Sequence, residues 1–176
     1  FWAFCDHYLE LVKGRSYREE DTAERRSAWA TLDTALHTFL RLLAPFMPYV
    51  TEEVWSWRMA ESHNQPSVHS APWPNVEEFS GIATTYGPEV FEAAIEVVSK
   101  IRGAKSSAQK SLKWPVEKVE VISTSNGLSQ FTPVTADVMK AGCVVENGLH
   151  TSEGDVPEKE RFEVKVTLSA EADTQR

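Results

Sequence analysis

Apolar residues recur at three- and four-residue steps over four long stretches, and that spacing predicts amphipathic helices. In the first stretch Phe1, Phe4, Cys5, Tyr8 and Val12 share a face, so a helix should run from Phe1 to Val12 and end near Gly14. The polar run RSYREEDTAER follows. Thr22 or Ala23 should open the second helix, where Trp29, Leu32, Leu36, Phe39, Leu40 and Leu43 form a broad apolar stripe. Ala44 and Met47 each precede a proline, a position biased away from helix, so this helix should stop near Leu43. Pro48 suits the first position of a third helix, with Glu52 and Glu53 in its first turns and Val50, Val54 and Trp57 facing inward. The joint between them reads as a tight, rigid, buried corner. Three prolines make Asn64 to Asn75 a loop or extended connection. A fourth helix should begin at Pro88 or Glu89 and carry Val90, Phe91, Ala94, Val97, Val98 and Ile101.

The period changes at WPVEKVEVIS, where Val119 and Val121 alternate with Lys118, Glu120 and Ile122 as in a strand. TPVTADVMKAG suggests a short helix ending at Gly142. CVVEN and RFEVKVTLS suggest two further strands, the second with Phe162, Val164, Val166 and Leu168 on one face. The expected fold is mainly α: a helical bundle over residues 1–113, then a small α+β appendage over 116–176 with a frayed tail AEADTQR.

A chain of 176 residues can bury roughly 70% of its unfolded surface, enough to fold without disulfides or structural metal and to remain a monomer. Its two cysteines, Cys5 and Cys143, lack zinc-type spacing and are expected to be reduced core thiols of a cytoplasmic protein. No apolar run nears the roughly 20 residues needed to span a bilayer. The opening, FWAFCDHYLELV, has no Met and no capping residue, as expected of a segment cut from a longer chain.

The net charge of −8 argues at first against a nucleic-acid partner, but its distribution reverses that reading. Lys100, Arg102, Lys105, Lys110, Lys113 and Lys118 face Glu117 alone between residues 100 and 118. With Val90 as reference and 100° per residue, Lys105 falls at about 60°, inside the sector of the helix core, with Arg102 at its margin. Either the helix end meets an anionic partner or Lys105 snorkels to water. Trp114 beside Lys113 suits phosphates and unstacked bases, or it plugs the junction with the appendage. Arg15 and Arg18, with Arg25 and Arg26 at the unfavourable end of a helix dipole, are further cationic candidates. Glu19, Glu20, Asp21 and Glu24 could instead neutralise them. No metal-ligand spacing, nucleophile motif or glycine-rich phosphate loop occurs, so no catalytic, metal or cofactor site is expected in this chain.

FCDHYLEL, followed about thirty residues later by LRLLAPFMPYVTEEVW, resembles the anticodon-binding domain of class I aminoacyl-tRNA synthetases. Within that group it is similar to the valyl-tRNA synthetases, with Ala44 where histidine is frequent and Tyr49 where Phe is common. SVHSAPWP and IRGAKSSAQKSLKWPVEKVEV extend the likeness to about residue 123; beyond that only the order of elements is shared. The resemblance implies a parent enzyme that activates valine with ATP and Mg²⁺ and esterifies tRNA-Val. This segment would bind the anticodon arm alongside the parent's remaining domains, with catalysis and editing elsewhere. Nothing after Leu168 has the heptads of the coiled-coil arm that ends many members. The isoleucyl enzyme's equivalent domain and a helical protein-interaction module are the alternatives.

Overall fold

Thr22 takes extended backbone geometry and its hydroxyl accepts the Arg25 N–H, which fixes the start of the long helix after the polar run. In the computed structural model, residues 2–82, 84–157 and 159–170 are described. Phe1 and most of the expected frayed tail, residues 171–176, lie outside them. The architecture is mainly α with one small sheet, as expected. It divides into two compact units: a sheet unit of Phe1–Arg18 with Thr85–Arg176, and a hairpin unit of Glu19–Thr84. This division differs from the expected domains 1–113 and 116–176, because the fourth long helix packs on the sheet instead of completing a separate bundle.

In the hairpin unit, α2 (Ala23–Leu43) and α3 (Pro48–Ser62) meet at the proline corner. Pro48 occupies the first turn of α3, as its missing N–H allows. Ala44 keeps helical dihedrals despite the following proline, so α2 is closed by the turn Phe46 N–H and Met47 N–H to the Leu43 carbonyl. Leu40, Ala44, Trp55, Met59 and Val68 form the core. The inner face of α3 is therefore Thr51, Trp55 and Met59, with Val54 partly buried against the same core as expected, whereas Val50 and Trp57 face outward. The corner is not buried either: Pro45 through Val50 are exposed and only Ala44 and Thr51 close it from inside. Glu52 lies beyond the first turn and accepts from Ser67 Oγ and the Val68 N–H, tying the 3₁₀ turn Val68–Ser70 to α3.

The sheet unit opens with a π-helical segment, Ala3–Tyr8, running into α1 (Leu9–Ser16). Gly14, expected to end the helix, stays inside it; a Cβ there would lie 2.9 Å from Lys140, so its absence lets α6 (Thr135–Ala141) approach. Next in the unit come α4 (Pro88–Ser107), β1 (Val116–Ser123), α5 (Ser125–Phe131), α6, β2 (Leu149–Glu153) and β3 (Glu163–Leu168). The sheet has the order β2-β1-β3, with β1 parallel to β2 through the α5–α6 crossover and antiparallel to β3. A register shift between Val116 and Lys118 lets Val116 and Val119, three apart, both face the core. Val97, Val98 and Ile101 of α4 pack there with Val121, Phe131, Val138 and Phe162. CVVEN is not a strand: Val144 forms one isolated bridge to Val116, and the second strand is the more polar LHTSE. Cys5 and Cys143 are free thiols, half-buried and not in the core.

Candidate nucleic-acid interface

The cations of the 100–118 window separate sharply once side chains are placed. Lys100 is taken by Glu96, Glu160 and the Phe162 carbonyl, and Lys118 lies 2.6 Å from Glu120. Arg102 is partly exposed and 4.0 Å from Glu10. Lys105 is a correction to both of its expected roles. It is fully buried, neither presented to a partner nor snorkelling. Its Nζ donates to the carbonyls of Leu112 and Gly142, each at 2.8 Å. Burial pushes its pKa below the ordinary lysine range, assisted by the Arg102 charge and opposed by Cys143.

That buried ammonium organises the loop carrying the exposed cations. α4 ends in a Schellman motif: the Lys110 N–H reaches the Lys105 carbonyl at 2.9 Å, the Gln109 N–H reaches Ser106, and Gln109 has φ 55°. α6 ends likewise, with Cys143 at φ 51° and the Val144 N–H on the Met139 carbonyl. Lys105 sits at both helix C-termini, where a cation complements the free carbonyls. It thereby fixes residues 108–115 against α6.

Lys110 and Lys113, on that loop, are exposed and paired with no carboxylate among the described residues. The Lys110 ammonium lies 3.9 Å from the centroid of the Trp114 ring. Trp114 is half-buried and donates its indole N–H to the Ser169 carbonyl at 2.9 Å, so it fastens the loop to the end of β3. Its second expected role, as a junction plug, is the one its contacts support.

Elsewhere in the sheet unit, Arg15 pairs with Asp137 at 3.0 Å while Arg18 is exposed. Burial raises the Asp137 pKa, and Arg15 and Arg18 pull it back. In the hairpin unit, Arg25, Arg26, Asp21 and Trp29 line a recess of about 280 Å³ at the start of α2. Arg26 bonds Asp21 at 2.9 Å, while the Nε of Arg25 is buried with no partner among the described atoms. Asp21 is thus one of the neutralising acids considered from the sequence.

The hairpin unit also holds a polar cluster that sequence reasoning missed. Arg41 is 4% exposed, and its guanidinium clasps Glu78 at 2.6 and 3.0 Å while donating to the His37 and Pro72 carbonyls. The bidentate hydrogen bond from Arg41 holds the Glu78 pKa down at about 2. His37 stacks on His63 with centroids 3.8 Å apart and on Trp55 at 5.3 Å. Burial, Arg41 and His63 lower the His37 pKa to about 4. These side chains line a cavity of about 370 Å³. The available signal was Arg41 itself, a charge between Leu40 and Leu42 four residues after His37. No group of three or more His, Cys, Asp or Glu among the described residues could hold a metal. Nor is any helix among them long and apolar enough to cross a membrane.

A family model described as the anticodon-binding domain of tRNA ligase matches residues 1–121. The chain is 41% identical over 171 residues to the valine–tRNA ligase of Salinispora tropica, covering 89% of this chain and 19% of that protein. The Thermobifida fusca valine–tRNA ligase is 49% identical over 121 residues, 69% of this chain and 13% of the relative. That of Bifidobacterium longum subsp. infantis is 38% identical over 180 residues, with coverage of 96% and 19%. The chain therefore spans about one fifth of the length of the curated relatives it matches.

Proposed function

Since the chain belongs to the anticodon-binding domain family of tRNA ligases, we propose that it binds the anticodon arm of tRNA-Val within a valine–tRNA ligase. The parent enzyme would act in the cytoplasm and use ATP and Mg²⁺ to activate valine. Catalysis and editing would belong to its other domains, and this chain would be a monomeric RNA-holding segment. The observation that carries the reading is the family match across residues 1–121, with valine–tRNA ligases as the relatives.

The geometry supports a division of labour among the cations. Lys110 and Lys113 stand exposed on a loop that Lys105 and Trp114 anchor, and Arg18 and Arg102 offer further positive charge in the same unit. Arg25 and Arg26 do so in the hairpin unit, whereas Arg15 is engaged by Asp137. Contacts from such side chains neutralise phosphates and position the RNA without reading its sequence. Lys105 acts through the loop and touches no RNA.

Salt titration of tRNA-Val binding tests this assignment. Replacing Lys110 and Lys113 together by Ala should weaken binding and flatten the slope of log affinity against log salt by roughly one to two units. Non-cognate tRNA should suffer almost equally. Lys105→Met should weaken binding through loop disorder with the slope nearly unchanged. A slope unaltered by the double substitution would remove Lys110 and Lys113 from the interface.

A further inference from the structure

Helix α3 carries apolar residues beyond those that the hairpin unit buries in its own core. At 100° per residue from Val50, the buried Trp55 and Met59 fall at about 140° and 180°. Val50 and Trp57 fall within about 20° of zero and Tyr49 lies about 100° round from Val50 on the side away from Trp55, while Val54, at about 40°, is partly buried against the core. Tyr49 is 90% exposed, Val50 61% and Trp57 71%, and Phe46 on the adjoining corner is 80% exposed. Two exposed aromatics on the helix, with a third on the adjoining corner, make an apolar patch of the kind that marks an interaction surface. Val50 and Trp57 also belong to the inward-facing periodicity of the sequence, so the patch has the composition of a core without a covering layer.

We propose that this outer face of α3, with Phe46, is the docking surface for another part of the parent synthetase chain. The inference rests on the reading of this chain as a segment of a valine–tRNA ligase. Two observations select that occupant. The relatives are about five times as long as the chain, so most of each relative lies outside the matched segment. The face is also the wrong sign for RNA: Glu53 and Glu61 flank Trp57, and Glu53 accepts the Trp57 indole N–H at 3.0 Å. The only cation of α3, Arg58, is turned to Asp33 at 2.6 Å. The covering surface should therefore be apolar and rimmed with lysine or arginine, and RNA phosphates should avoid it.

Hydroxyl-radical labelling read by mass spectrometry tests the proposal on two proteins, the 176-residue chain and a full-length valine–tRNA ligase that contains it. In the chain alone, Phe46, Tyr49 and Trp57 should label rapidly at every protein concentration. In the full-length enzyme without tRNA, their labelling should fall about tenfold. Trp57→Glu should lower the Tm of the full-length enzyme and leave that of the 176-residue chain nearly unchanged. Equal labelling in the two proteins would overturn the proposal. So would protection that appears only on adding tRNA-Val, or protection in the isolated chain that grows with its concentration and marks self-association. Because the decisive comparison omits tRNA, its failure is distinct from a failure of anticodon-arm binding.

Discussion

In the sheet unit, α4 lays Val97, Val98 and Ile101 against Val116, Val119 and Val121, and the buried cation Lys105 fastens the edge of that core. In the hairpin unit the core is smaller, Leu40, Ala44, Trp55, Met59 and Val68, and much of the remaining apolar surface faces outward. There the long-range ties are polar: Arg41 to Glu78, Arg58 to Asp33, and Glu52 to Ser67 and Val68. A unit with a continuous apolar core tolerates loss of single surface ion pairs, whereas one held by a desolvated guanidinium depends on it and on pH. The two units should therefore fail under different perturbations.

The largest effect should come from Lys105→Met. It strips two charge-assisted donors from the carbonyls of Leu112 and Gly142 and should destabilise the sheet unit by about 3 kcal/mol. Hydrogen exchange of β1 amides reads this directly, and protection in α2 should not change. Arg41→Met is the counterpart in the hairpin unit, at about 2 kcal/mol because Glu78 is partly exposed and can regain water. Here α2 and α3 amides should lose protection while β1 keeps its own. If either substitution weakened both units equally, the independence of their cores would be wrong.

Acid should separate the units further. His37 falls from an ordinary 6.5 to about 4, and Glu78 from 4.5 to about 2. Both folded-state values are depressed, so the unfolded chain binds more protons as pH falls through these windows. The hairpin unit should therefore lose stability first between about pH 6.5 and 4, through His37, and further toward pH 2, through Glu78. His37→Gln should remove the upper part of that loss and leave the lower. The test is exchange protection of α2 and α3 amides across the range.

The smallest effect concerns a helix end. Gln109 occupies the left-handed region, where a side chain costs about 1 kcal/mol relative to glycine. Part of any gain is returned through the freer unfolded chain. Gln109→Gly should thus raise the urea midpoint slightly, by the equivalent of a few tenths of a kcal/mol.

Helix limits were readable wherever local chemistry sets them: the Thr22 cap, Pro48 and Pro88 in first turns, and Gly142 as the cap of α6. Long-range pairing was not. β2 is a polar edge strand whose only core-side contribution is Leu149, so periodicity gave no sign of it. α5 is a seven-residue SNGLSQF segment, held by the Thr124 cap and buried Phe131 more than by propensity. On α3 only Val54 of the expected inner residues packs on the core, because apolar residues surround much of the helix and the pattern cannot say which side the hairpin unit covers. For the interface, charge along the sequence located the basic window but not its sorting. Whether a lysine is free, paired or buried depends on residues as distant as Glu160 and Gly142.

Competition binding separates a grip on the anticodon arm from binding elsewhere on the tRNA. Labelled tRNA-Val bound to the chain is challenged with an isolated tRNA-Val anticodon stem-loop or with an acceptor-arm minihelix. If the chain holds the anticodon arm, the stem-loop should displace tRNA-Val at concentrations close to those of unlabelled tRNA-Val itself, while the minihelix should displace none. Displacement by the minihelix as effective as by the stem-loop would contradict anticodon-arm binding.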